Sequence, residues 1–139
     1  MRTRENMLRA WFDMWLEKQD AGIDEMFAPD AVCIESWGPE YRGVARIRHW
    51  FEEWNARGTV LAWEIRQFIH QGDQTVVEWY FHSAMRDGRE EEFEGVSLVR
   101  WTRDGKIRLL QEFGCNIARY DPYADGDAPR FAGEKPRWF

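Results

Sequence analysis

The sequence predicts a single α+β domain, with three N-terminal helices packed on a strongly curved antiparallel sheet. Two observations carry this. Apolar residues recur at helical spacing before Gly58 and at strand-like spacing after it. Three Gly/Asp turn signals then divide the second half at hairpin distances. Helices first and an antiparallel meander after is the segregation expected of α+β domains.

The first helix is read from Leu8, Trp11, Phe12, Trp15 and Leu16, one apolar stripe stopped at Gly22. A short helix over 24–27 precedes Pro29. Residues 31–35 (Ala-Val-Cys-Ile-Glu) read as a short strand, and 37–43, rich in Gly and Pro, as a loop. The third helix carries Val44, Ile47, Phe51 and Trp54 on one face, with Gly58 as its stop. Four strands are expected over 59–70, 75–85, 91–102 and 106–118. Their turns are Gly72-Asp73, Asp87-Gly88 and Asp104-Gly105. The domain is expected to span 1–120. Residues 121–139 read as an irregular tail whose Tyr123, Phe131, Trp138 and Phe139 can anchor it on a neighbour.

Composition narrows the function classes. A chain of 139 residues, 44% hydrophobic, builds a core without staples. Net charge is −6 with no dense basic stretch, which disfavours phosphate-mediated nucleic-acid binding. Cys33 and Cys115 form neither a metal pattern nor a disulfide framework. No leader or membrane span is expected, so a soluble, cytoplasmic protein is the default reading. No Gly-rich phosphate loop is present, so no cofactor is expected. Nine Trp, nine Phe and four Tyr exceed the needs of a minimal core. They point to a deep aromatic-lined pocket, an oligomer interface, or both.

If every turn holds two residues, register follows by counting. Gln67, Glu78, Ser97 and Glu112 then form one polar row across four strands. The same face carries Ile65, Tyr80 and Gly95, then Trp63, His82, Phe93 and Asn116. The opposite face carries Phe68, Val77, Trp79, Phe81, Val96, Leu98 and Phe113. Either this apolar face is the core, or the polar row lines a cavity under the helices and the apolar face meets a second subunit.

The order of elements, with Phe27-Ala28-Pro29-Asp30-Ala31-Val32, Arg42-Gly43 and a meander closing on Asp104-Gly105-Lys106-Ile107, resembles the SnoaL-like branch of the nuclear-transport-factor-2-like superfamily. Ketosteroid isomerase is that superfamily's best-understood enzyme. The resemblance covers roughly residues 4–118. It implies a cone-shaped α+β barrel, with a pocket between helices and concave sheet and a homodimer through the convex face. It turns the polar row inward. It also places Glu35 at the isomerase's proton-shuttling carboxylate and Ser97 at its oxyanion donor, with Trp11 or Trp15 near its helix-1 Tyr. An indole N–H only donates, and Ser and Trp are weaker oxyanion stabilisers than a low-pKa hydroxyl and a neutral acid. Steroid isomerisation is therefore not expected.

The candidate catalytic residues are Glu35, Ser97, Glu78, Glu112 and His82. Glu35 at an apolar mouth is a usable base; the alternative is a strand-end glutamate paired to Arg42 or solvent. Glu78 and Glu112 flanking Ser97 form either an acid/base pair or a structural network. His82 is a pocket acid or base, or an exposed strand-end residue. The candidate ligand contacts are Trp11, Trp15, Trp37, Trp54, Trp63, Tyr80, Phe93, Gln67 and Asn116. One His with two Glu is too weak a pattern for a metal site. The expected activity is cofactor-independent isomerase, cyclase or dehydratase chemistry on a small hydrophobic carbonyl compound. The alternatives are a non-catalytic binder of a small hydrophobic ligand or a dimeric interaction module.

Overall fold

The computed structural model describes residues 3–133, 135 and 137. Helix α1 (Arg4–Glu17) begins at an N-cap Thr3 whose hydroxyl accepts from the Asn6 amide. It ends at Lys18 in a left-handed conformation, earlier than the expected stop at Gly22. Gly22 is instead the N-cap of the short α2 (Ile23–Met26). Leu8, Trp11, Phe12, Met14 and Trp15 of α1 are buried, so the predicted stripe faces the sheet.

Strand β1 (Phe27–Ile34) is longer than expected. The segment read as a loop contains strand β2 (Glu40–Arg42), which pairs antiparallel with β1. Helix α3 (Val44–Arg57) follows, then β3 (Gly58–Gln71), β4 (Gln74–Met85), β5 (Glu90–Trp101) and β6 (Ile107–Asn116). Gly58 does not stop α3 through a left-handed turn, because its φ is −143°. Glycine fits there because an added Cβ would lie 2.6 Å from the Met85 sulfur.

The sheet has six strands in the order β2-β1-β6-β5-β4-β3 and is open at both edges. It is mixed, since β1 runs parallel to β6. The three helices pack on its concave face. No described helix is long and apolar enough to cross a membrane. The chain after β6 is irregular and is tied back by Arg119, which bonds Glu94 and the Asn116 carbonyl. Trp138 and Phe139 lie outside the described residues.

The register corrects the single polar row. Gln67 does oppose Glu78, and Ser97 does oppose Glu112. But Ser97 opposes Val77, and Glu78 opposes Val96. The β4–β5 turn is one residue longer than the two-residue reading: the Met85 amide bonds the Arg89 carbonyl, and Gly88 takes φ 89°. One residue of slip exchanges the faces of β4. Val77, Trp79 and Phe81 therefore face the helices, and Glu78, Tyr80 and His82 face outward. Trp79 is 1% exposed, in the core rather than at an interface.

Candidate active site

Glu35 directly follows β1. The parallel pairing sets Cys33 beside Leu110 and Ile34 beside Gln111, which carries Glu35 alongside Glu112. Cys33 and Leu110 are buried, so the residues two positions on share their inward face. Tyr41, opposite Cys33 on β2, donates its hydroxyl to Glu35 Oε2 at 2.8 Å. Withdrawal from water raises the Glu35 pKa; the Tyr41 hydrogen bond opposes this and the Glu91 charge adds to it. Burial, with the Glu35 hydrogen bond and charge adding to it, holds the Tyr41 hydroxyl protonated far above neutrality.

Glu112 is half-buried and has no hydrogen-bond partner among the described residues. Desolvation, with the Glu35 charge adding to it, pushes its pKa up to about 8. At neutral pH it is a carboxylic acid. Glu35 has the smaller perturbation and the compensating tyrosine, so it ionises first. Two neighbouring carboxyls held apart in this way can serve as base and acid. Cys33, buried and beside both, is kept as a thiol by desolvation and by their charges.

A run of aromatic rings leads from Tyr41, the partner of Glu35, across the concave side. Tyr41 stacks on Trp50 at 4.5 Å, and Trp50 lies 4.8 Å from Trp15. Trp15 meets Trp54 and Trp63, and Trp63 meets Phe12, Trp79 and Phe81. Phe81 reaches Phe93, 5.0 Å away. Tyr41, Trp50, Trp54, Phe81 and Phe93 are half-buried, whereas Trp11, Trp15, Trp63 and Trp79 are buried beneath them. Gly95 and Gly114 face each other next to the Ser97–Glu112 pair. A Cβ on Gly95 would sit 2.9 Å from the Trp79 ring and 2.3 Å from the Phe113 carbonyl oxygen, and one on Gly114 would sit 3.1 Å from Ser36 Oγ. The paired glycines let aromatic rings and Ser36 close in beside Glu112.

Three helices on the concave side of a curved sheet, with inward carboxyls near its mouth, match a known family along most of the chain. The SnoaL-like domain family matches residues 8–110. The chain belongs to it. No curated protein matches the chain. Among solved structures, the SnoaL-like domain is similar to an LEH-like epoxide hydrolase of M. tuberculosis, with TM-score 0.70 and 14% identity over 81% of this chain and 82% of that one. It is also similar to a protein of ketosteroid isomerase-like fold from Catenulispora acidiphila in complex with trimethylamine, with TM-score 0.67 and 19% identity over 84% and 89%. A third likeness is to an NTF2-like protein of unknown function from Burkholderia pseudomallei, with TM-score 0.68 and 14% identity over 83% and 92%. At these identities the likenesses show the fold alone.

Within the SnoaL-like domain, Glu35, Glu112, Ser97, Trp63 and Phe93 share the concave side. Ser97 is fully buried, and its Oγ accepts from Trp79 Nε1 at 2.9 Å. That bond engages the Ser97 hydroxyl with an indole, although Ser97 stands directly across from Glu112. Glu78, expected in the acid row, is on the outer face, bonded by Gln67 Nε2 at 2.7 Å and 3.6 Å from Arg66. His82 pairs with Glu90 at 2.9 Å, and the Tyr80 hydroxyl bonds Glu92, both outside the cone. The same slip that moved these residues separates His82 and Glu78 from Glu112. Gln67 is exposed for the same reason. Trp37 is 79% exposed in the β1–β2 turn and is not a wall residue. Asn116 is exposed, and its Oδ1 accepts the Ala118 amide where β6 ends.

Trp11, Trp15 and Trp54 belong to the aromatic layer, but the described depressions of the surface lie elsewhere. One of about 440 Å³ is lined by Thr3, Arg4, Glu5 and His70, and one of about 560 Å³ runs along 20–26 beside Met7. The interior under the helices is filled largely by side chains. The sequence reading missed Tyr41 as the partner of Glu35. The signal was Gly38-Pro39 midway between two short β-prone segments, a hairpin that brings Tyr41 back across from Cys33.

Proposed function

We propose that the protein is a cofactor-independent acid–base enzyme acting on a small hydrophobic carbonyl compound, with Glu35 as base and Glu112 as acid. The observation that carries this reading is the adjacent carboxyl pair, one bonded by Tyr41 and the other raised to about 8 and unpartnered. A base must be ionised and an acid protonated at the same pH, and these environments favour that division. Glu35 removes a proton α to the carbonyl while the Glu112 hydroxyl donates to the carbonyl oxygen. The half-buried rings supply an apolar rim that favours a planar substrate.

The test is exchange of α-hydrogen for deuterium in 2-acetylnaphthalene, followed by NMR in D₂O. The wild-type protein is expected to accelerate exchange, and Glu35→Gln and Glu112→Gln each to lose roughly 10²–10⁴-fold. Exchange that persists in both variants overturns the assignment.

A second reading, a non-catalytic holder of a small ligand, is supported by the Tyr41 and Trp50 rings stacked beside Glu35. The Catenulispora protein binds trimethylamine, and here aromatic faces beside an ionised Glu35 would also suit a small cation. That reading predicts binding without exchange. We further propose a homodimer formed through the convex face, supported by the exposure of Ile69 and Phe113 there.

A further inference from the structure

A third carboxylate stands on the concave side beyond the pair. Side chains of a strand alternate, so Val99, Ser97, Gly95, Phe93 and Glu91 form the inward row of β5. Ser97 and Val99 are fully buried, and Phe93 packs on Trp79 and Phe81, which fixes the row on that face. Glu91 follows Phe93 toward the start of the strand, about 7 Å along the row. It is exposed and has no hydrogen-bond or ion-pair partner among the described residues. On one side it opposes Ser83 of β4, which is buried in line with Phe81 and Trp79. On the other side, the pairing of β5 with β6 ends at Phe93 and Asn116, so no residue of β6 is paired across from it. Glu91 therefore stands at the open rim of the concave side. Its sequence neighbours face outward, where Glu90 pairs with His82 and Glu92 accepts from the Tyr80 hydroxyl.

The same rim meets Glu35. A Cβ on Gly114 would lie 3.1 Å from Ser36 Oγ and 3.2 Å from the Phe93 ring. The residue after Glu35 and the row neighbour of Glu91 thus converge on one glycine. Desolvation raises the Glu35 pKa, the Tyr41 hydrogen bond lowers it, and the Glu91 charge raises it further. The other groups around Glu35 are Tyr41 from β2, Cys33 from β1 and Glu112 from β6. From α3, the Arg57 charge reaches Tyr41, and Arg57 is itself bridged to Glu53. We infer that Glu91 is a positioning residue of this site, a rim carboxylate whose charge acts through space on Glu35 and turns away anionic substrates. This rests on the acid–base reading and adds selection by charge. An anion docking beside Glu35 brings a further negative charge to a rim that already carries two, and such like-charge juxtaposition lowers affinity. Because Glu91 is exposed, salt screens its influence, which separates it from a packing role.

The test is the carboxyl titration of Glu35 by NMR in full-length protein labelled with ¹³C-glutamate, its resonance assigned by its loss in Glu35→Gln. In Glu91→Gln the Glu35 midpoint is expected to fall by roughly 0.3–1 pH unit at low ionic strength, and in Glu91→Lys by about twice that. In about 1 M salt, where the screening length is ~3 Å, both shifts shrink to a small fraction. The acid limb of the 2-acetylnaphthalene exchange profile moves to lower pH by the same interval, because the base ionises earlier. The affinity of 6-acetyl-2-naphthoate relative to 2-acetylnaphthalene is expected to rise roughly three- to tenfold in Glu91→Lys. A Glu35 midpoint that stays in place in both variants, shifts that survive high salt, or an unchanged preference between the two probes would each overturn the inference. A midpoint that moves in a protein without exchange activity overturns only the catalytic reading. Exchange with a midpoint that stays in place overturns only this one.

Discussion

Glu112 shows how one side chain links burial to pH. In the unfolded chain its carboxyl ionises near the ordinary 4.5, and in the fold it holds its proton up to about 8. Between those values the folded state carries a proton that the unfolded state has released. Stability therefore falls as pH rises through that window, by at most about 1.4 kcal/mol per pH unit and by less for a half-exposed side chain. Glu35, also raised, adds a slope of the same sign. Glu112→Gln removes the titration while keeping the shape. It is expected to gain stability over the wild type progressively from pH 5 to pH 8 in urea unfolding. Parallel profiles for the two proteins would show that Glu112 titrates normally. Glu35 and Glu112 were both legible as inward candidates from sequence. Which of them holds the proton was not, because that depends on desolvation and on Tyr41, brought near by a three-residue strand.

At the scale of elements, the strands were legible within a few residues because alternation and Asp-Gly turns report them directly. Register was less so. The β5–β6 turn also holds one residue more than counted, with the Thr102 amide bonding the Lys106 carbonyl. An irregularity between Arg100 and Trp101 restores the count, so Ser97 still meets Glu112. β4 and β5 have no such compensation, and that is why Glu78, Tyr80 and His82 point outward. Bulges leave little mark in sequence, and a glycine inside a strand is one of the few traces. Gly95 marks no bulge, since it pairs in register with Trp79 and Gly114, but a close approach of neighbouring groups. Its φ is not at issue; its missing Cβ is. Gly95→Ala puts a methyl against the Phe113 carbonyl and the Trp79 ring, and is expected to cost about 1–3 kcal/mol by overpacking. Thermal unfolding measures it. A neutral substitution would mean that β5 and β6 separate there at no cost.

For the molecule as a whole, the two sheet faces differ in what covers them. The helices and aromatic rings close the concave face. On the convex face, Val76, Val96 and Leu98 are half-buried, while Ile69 and Phe113 are 56% and 48% exposed. Arg66, bridging Glu78 and Glu94, and Arg119 on Glu94 border this apolar strip with charge. An apolar centre inside a polar border is the anatomy of a protein interface. A second copy of the same face provides a self-complementary partner, and a stable pairing needs roughly 800 Å² from each copy. Phe113→Glu places a charge in the centre of the strip and away from the carboxyl pair, because its side chain leaves the opposite side of β6 from Glu112. It is expected to yield a folded monomer by sedimentation equilibrium, with unchanged circular dichroism, at concentrations where the proposed wild-type dimer is expected to form. A wild-type protein that sediments as a monomer at tens of micromolar would remove the dimer from the proposal. The carboxyl pair would be unaffected, since it lies wholly on the other face of the same strands.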